Sequence, residues 1–172
     1  MLKIFNNLKP FFEDCYRRVS VREYSKLMSI SPPTASTLLN KYFKDNLLIK
    51  EKDRNYLFFH ANNREKQFVD LSRIYWRIIL KELLEYLEKE LVSPTLILFG
   101  SLSKAEAKRD SDIDVAIFAN NKNISLNEFE KKIGRKIQVF WFKSLKDVKN
   151  RELLNNIING YVLSGRLLIK NA

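Results

Sequence analysis

Two short stretches of this 172-residue chain carry residues whose types and spacing suit chemistry. In the first, the apolar run Leu96-Ile97-Leu98-Phe99 ends in Gly100-Ser101. A strand that turns through Gly-Ser into a helix lets a phosphate come close to backbone N–H groups, and Ser101 adds a hydroxyl donor. Ser101 has no histidine partner of the nucleophilic-triad kind, so it reads as a phosphate ligand and not a nucleophile. In the second stretch, Asp112-Ile113-Asp114 opens the apolar run Val115-Ala116-Ile117-Phe118. Alternate residues of a strand point the same way, roughly 7 Å apart along the chain. Asp112 and Asp114 therefore project together while Ile113 turns into the core. Two carboxylates converging beside a phosphate-binding turn form a Mg²⁺ site, because this hard ion prefers oxygen ligands together with substrate phosphates. A pair of carboxylates that merely cap a strand end in water would not call for the Gly-Ser turn beside them.

These residues need a small scaffold to hold them: a strand over 96–99, a helix over about 103–108, and a strand beginning near Asp112. The segment from Gly100 to Val115, with Ser101, Lys104, Ala107, Ser111, Asp112 and Asp114 at its fixed points, closely resembles the signature of minimal nucleotidyltransferases of the DNA polymerase beta superfamily. That signature reads gly-ser, any residue, ala, arg or lys, gly, any residue, ala, a short polar turn, then ser-asp-ile-asp and an apolar residue. Ser103 and Ala105 depart from it at small-residue positions and are expected to cost little. Gly134-Arg135-Lys136-Ile137 is similar to the family's entry to its next strand. Ile158-Asn159-Gly160-Tyr161-Val162-Leu163 is similar to its closing helix and strand, so the likeness spans about residues 95–168. The resemblance implies a small α/β fold with a mixed sheet, Mg²⁺, and ATP or another nucleoside triphosphate. It further implies catalytic, metal-holding roles for Asp112 and Asp114 and nucleotide contacts from Gly100, Ser101 and Lys104. The family's third carboxylate usually follows the gly-arg-lys entry, where this chain has Gln138. Glutamine can hydrogen-bond but cannot take a proton or supply charge, and Glu128, Glu130 and Asp147 fall on neighbouring helices or loops. Nucleotide binding is thus better supported than nucleotide transfer.

The N-terminal part is built differently. All four glycines lie after residue 99, so the first 99 residues must turn with Asn, Asp, Ser and Pro. A helix is expected over residues 2–18, with Ile4, Phe5, Leu8, Phe11 and Phe12 on one face and Pro10 in its middle. Ser20 caps a second helix to about Met28. Ser31 before Pro32-Pro33 opens a third that runs to about Lys44, with Leu38, Leu39, Tyr42 and Phe43 buried. Asn46 suits a left-handed cap. Strands over 47–50 and 56–60 follow, joined by a turn over 52–55. The stretches 29–39 and 45–50 resemble prokaryotic winged-helix transcription regulators, with Asn46 where those usually have glycine. That resemblance implies a DNA-reading third helix presenting Thr34, Ser36, Thr37, Asn40 and Lys41; the short polar side chains suit base edges, while Lys41, Lys44 and, from the wing, Arg54 suit phosphates. Residues 64–91 read as one long helix whose apolar positions drift around it, a connector or, alternatively, a dimerisation element.

Composition sets the outer limits. The chain carries a formal charge of +11, with +5 in residues 1–60, none in 61–92 and +6 in 93–172, which favours a polyanionic partner. No apolar run approaches the roughly 18 residues of a membrane span, and Lys3 and Asn6 interrupt the start before any signal-peptide core could form, so a cytoplasmic protein is expected. Cys15 is the only cysteine, which excludes an intramolecular disulfide and fits a small buried hydrophobe. The sequence therefore predicts an α+β chain of three parts: a winged helix-turn-helix (1–62), a connecting helix (63–92) and a minimal nucleotidyltransferase domain (93–172). The expected function is a DNA-binding regulator that binds Mg-nucleotide with reduced or absent catalysis. The alternative is an active enzyme moving a nucleoside monophosphate onto a protein or nucleic-acid hydroxyl, antitoxin-like in one form. Its partners would be DNA, nucleotide, and either a toxin-like protein or a second copy of the chain.

Overall fold

The computed structural model of the protein describes residues 2–167; Met1 and residues 168–172, the end of the expected 93–172 span, lie outside the described residues. The chain forms two compact units, Met1–Tyr75 with Ala105–Arg109, and Trp76–Lys104 with Asp110–Ala172.

The first unit opens with α1 (Lys3–Glu13), shorter than the expected 2–18. Pro10 lies inside it without ending it; the helix stops at Asp14, whose backbone is extended, and the next N–H, of Cys15, is taken by the Ala107 carbonyl at 2.8 Å. Phe5, Leu8, Phe11 and Phe12 are buried, as is Cys15. A two-residue strand β1 (Val19–Ser20) follows, which periodicity does not reveal because it exists only through pairing with β3. Ser20 then caps α2 (Val21–Met28), accepting from the Glu23 N–H. Ser31 caps α3 (Pro32–Lys44) in the same way through Thr34, with the two prolines in the first turn where their missing N–H groups cost nothing. Asn46 adopts φ 58°, the left-handed conformation its type tolerates. The hairpin β2 (Leu48–Asp53) and β3 (Tyr56–Ala61) is longer than expected and turns on two residues, Arg54 and Asn55, with Arg54 at φ 53°. The strands run in the order β1-β3-β2, all antiparallel. Asn7 links the helices: its Nδ2 donates to Tyr42 Oη at 2.9 Å and its carbonyl accepts from Tyr24 Oη at 2.8 Å.

The expected single helix over 64–91 is two, α4 (Lys66–Ile79) and α5 (Lys81–Glu90). The bend falls at Leu80, where ψ is 1°, yet Leu80 N–H still reaches the Trp76 carbonyl and its own carbonyl accepts from Leu84. Neither glycine nor proline marks this bend; the drifting apolar pattern is its only trace in the sequence.

The second unit is a four-stranded mixed sheet in the order β6-β5-β4-β7: β4 (Thr95–Phe99), β5 (Ile113–Phe118), β6 (Ile137–Phe142) and β7 (Tyr161–Ser164). β5 and β6 are parallel, and the other pairs are antiparallel. A parallel pair needs a long crossover, supplied here by residues 119–136 with α7 (Asn127–Ile133). α8 (Arg151–Ile158), capped by Asn150 Oδ1 on the Leu153 N–H at 2.9 Å, places Ile157, Leu153 and Leu154 in a core with Ile97, Phe99, Ala116, Phe118, Phe140 and Phe142. The helix expected over 103–108 is instead a single turn, α6 (Gly100–Ser103). Ser103 Oγ donates back to the Gly100 carbonyl at 2.9 Å, and Ala105 takes φ 55°, which no right-handed helix can continue. This helical segment is thus corrected to one turn. Among the described residues no helix is long and apolar enough to cross a membrane.

Candidate functional site

The pleat brings the sheet's chemistry to one end of one face. Cross-strand registers place Phe99, Asp114 and Gln138 side by side on β4, β5 and β6, and below them Ile97, Ala116 and Phe140. Asp112, Asp114, Ala116 and Phe118 share a face by their spacing of two, while Ile113, Val115 and Ile117 are buried on the other. The carboxylates are therefore the continuation of the face that packs on α8, at the point where apolar residues give way to acids.

Gly100 is fitted against them. Its φ of 70° is left-handed, and a Cβ at this position would overlap Asp114 Oδ2 and stand 3.2 Å from Asp114 Cγ. Only glycine leaves the space that the carboxylate occupies. Burial, followed by the neighbouring Asp112 charge, raises the Asp114 carboxyl above the ordinary aspartate range. Gln138 Nε2 donates to Asp112 Oδ2 at 2.8 Å. Asp112, Asp114, Gln138 and Gly100 thus converge. Among the described residues no group of three or more His, Cys, Asp or Glu side chains is placed to hold a metal, so the acidic pair stands without a third carboxylate.

The other nucleotide-site candidates lie close in sequence but are engaged differently. Ser101 is half-buried in the first turn of α6, and its carbonyl accepts from the Lys104 N–H at 3.3 Å. Lys104 is exposed and its Nζ donates to Asn156 Oδ1 of α8 at 2.9 Å. Two supports are not visible in the motif. Arg135 Nη1 donates to the Ser111 carbonyl at 2.5 Å while its guanidinium lies over the Trp76 ring, which anchors the turn just before Asp112. The Ile113 N–H bonds the Lys136 carbonyl at 2.8 Å. Ser111 and Arg135 are too far apart in sequence for any local pattern to pair them.

On the first unit, Thr34, Thr37, Lys41, Lys44 and Arg54 are exposed and Ser36 and Asn40 half-buried. Several of these polar groups are turned onto their own helix. Thr37 donates to the Pro33 carbonyl at 3.0 Å, and Asn40 Nδ2 to the Ser36 carbonyl at 2.8 Å. Asn40 Oδ1 accepts from Lys50 of β2 at 3.0 Å, a tie between helix and hairpin that the sequence reading missed. Phe43, expected inward, is exposed and lies 5.6 Å from Lys50 Nζ; the buried stripe is Ala35, Leu39 and Tyr42, with Leu38 half-buried. That stripe has the spacing of one helical face, whereas Phe43 falls off its edge. Arg18 pairs with both Glu51 and Asp53 and sits over Phe58, so the acids of the hairpin are neutralised from within. Among the described residues Lys41, Lys44 and Arg54 enter no salt bridge.

No curated protein and no solved structure matches the chain. A family model described as Polymerase beta, Nucleotidyltransferase matches residues 81–171, more than half of the sequence. Its span contains the Gly100-Ser101 turn, the Asp112 and Asp114 pair and all four strands of the mixed sheet, and on that match the chain belongs to the Polymerase beta nucleotidyltransferase family.

Proposed function

We propose that the protein is a DNA-binding regulator whose nucleotidyltransferase unit binds a Mg-nucleotide and transfers nucleotide weakly or not at all. One observation carries this reading: Gln138, not an acid, stands in register with Asp114 and is bonded to Asp112. The donor set fits magnesium, since two carboxylates converge there and burial, followed by the Asp112 charge, raises the Asp114 carboxyl, a burden that a bound cation would relieve. Asp112 and Asp114 would hold the ion, and Gly100, Ser101 and Lys104 would receive the phosphates of ATP or another nucleoside triphosphate. A bound ion there would neutralise phosphate charge. Gln138 can orient an acceptor hydroxyl but cannot remove its proton.

In the same reading, residues 1–62 are a winged helix-turn-helix in a cytoplasmic protein, with α3 as its recognition helix and β2–β3 as its wing, and 63–92 connects it to the domain of 93–172. Exposed Thr34, Thr37 and Lys41 on α3, with Lys44 and Arg54 free of salt bridges among the described residues, support a face for base edges and phosphates. Phe43 and Lys50 extend that face onto the hairpin. The second reading is favoured by family membership itself: an enzyme moving a nucleoside monophosphate onto a protein or nucleic-acid hydroxyl, in one form that of a toxin-like partner.

Incubation of the full chain with radiolabelled ATP and Mg²⁺, with and without cell extract, separates the two. The regulator reading expects Mg²⁺-dependent ATP binding by calorimetry, its loss in Asp112→Asn, and no labelled product. Robust labelling by the wild-type chain would replace it with the enzyme reading. Undiminished ATP affinity in Asp112→Asn would remove the site assignment altogether.

A further inference from the structure

We propose that Gln138 is an amide latch on the acidic pair: without a cation its Nε2–H group occupies Asp112 Oδ2, and a divalent ion enters only by displacing it. The inference rests on the reading of Asp112 and Asp114 as the cation site. A carboxylate accepts and never donates, so the 2.8 Å contact fixes which end of the Gln138 amide faces Asp112. Register fixes where the amide starts from: Gln138 is the cross-strand partner of Asp114 on the parallel pair β5–β6, and so reaches across to the other acid of the two. A Cβ at residue 100 would overlap the Asp114 carboxylate, so glycine there leaves that carboxylate its place beside Asp112. The two acids are thus held close, and a neutral donor softens their repulsion without cancelling it.

A glutamate at 138 would do the opposite, adding a third negative charge that only a cation could offset. The carboxamide gives a site that is folded and quiescent when empty. Its cation affinity is then set by competition with an internal donor. A second role for Gln138 is chemically available, since rotation of the amide would present Oε1 as a neutral metal ligand. The two roles predict opposite effects when the amide is removed: an obstructing donor lost should tighten cation binding, and a ligand lost should weaken it.

The full chain is titrated with Mn²⁺ in the absence of nucleotide, following free Mn²⁺ by electron paramagnetic resonance, for wild type, Gln138→Leu, Gln138→Glu and Asp112→Asn. The bond is exposed, so the net worth of an ordinary hydrogen bond sets the scale, and Gln138→Leu is expected to bind Mn²⁺ roughly 3- to 10-fold more tightly than wild type. Gln138→Glu binds more tightly still, and Asp112→Asn loses binding. Thermal unfolding of the metal-free proteins gives a second readout, with Gln138→Glu melting below wild type and recovering on Mn²⁺ addition. Gln138 is exposed on an edge strand; should the leucine variant still unfold, Gln138→Ala carries the same expectation. Leucine and alanine variants that bind no tighter than wild type, while Gln138→Glu does, would overturn the latch and leave the site standing. Absence of Mn²⁺ binding in every protein, Gln138→Glu included, would overturn the site and the latch with it.

Discussion

At the scale of single residues, the acidic pair is held at a cost to the fold. Burial and the Asp112 charge lift the Asp114 carboxyl above its ordinary range, so the native chain binds this proton at a higher pH than the unfolded chain does. The destabilisation is therefore fully present above the raised value and is relieved as pH falls through it. Asp114→Asn is expected to raise the melting temperature of the metal-free protein at neutral pH, and the gap should close as the pH is lowered; a pH series of thermal melts on both proteins checks it. Ala105 is a second strained residue. It replaces the glycine of the family pattern, is fully buried, and has φ 55°. A left-handed alanine costs roughly 1–2 kcal/mol relative to glycine, set against the loss of one buried methyl of about 0.8 kcal/mol. Ala105→Gly should accordingly be neutral to about 1 kcal/mol stabilising by chemical denaturation, whereas most substitutions of a buried residue lose stability.

At the scale of elements, what the sequence discloses is what local chemistry decides. Ser20 and Ser31 announce their helices because a short side-chain oxygen satisfies an otherwise orphaned N–H, and both make that bond. Asn46 takes its left-handed turn because its type permits it. The alternation at Asp112 and Asp114 places both acids on one face, and the Gly100-Ser101 turn ends its strand as expected. The remainder depends on partners distant in sequence. β1 exists by pairing to Phe58 and Phe59, and the bend at Leu80 has no breaker residue. Phe43 was misplaced because four apolar residues in six positions are too many for one stripe. Lys50 and Asn40, or Arg135 and Ser111, meet only once the sheet has formed. Asn150 offers a test of cap energetics in the second unit. Asn150→Ala leaves the Leu153 N–H without its partner and should cost about 1 kcal/mol of stability. A loss below a few tenths would show that water replaces the cap.

At the scale of the whole molecule, charge is shared unequally between the two units. The first carries sixteen Lys/Arg against nine Asp/Glu, a net of +7, and the second fifteen against eleven, a net of +4. On the proposed DNA-binding reading, affinity of the full chain for mixed-sequence duplex DNA should fall linearly in log–log form as salt rises, with a slope near −0.9 per phosphate neutralised. Lys41→Ala, or Arg54→Asn (which keeps a residue suited to the left-handed turn), should each make the slope shallower by about one unit. Fluorescence anisotropy across a salt series reads this directly, and unchanged slopes in both variants would remove α3 and the hairpin from the proposed DNA-contacting surface.

The missing side chain at residue 100 makes an unusual genetic tool available. Gly100→Ala deletes no ionisable group, so the variant keeps the isoelectric point and the +11 charge of the wild type. Its methyl group overlaps the Asp114 carboxylate, and alanine is strained at the left-handed φ of 70°. On the proposed reading, an allele of this kind weakens nucleotide binding while leaving every coulombic attraction to a polyanion in place. Asp112→Asn and Asp114→Asn cannot do that, since each also makes the protein more basic. In cells, a phenotype shared by the alanine allele and a complete deletion would trace the protein's role to the proposed nucleotide site, and a phenotype confined to the deletion would trace it to the rest of the chain, the proposed DNA-binding unit included.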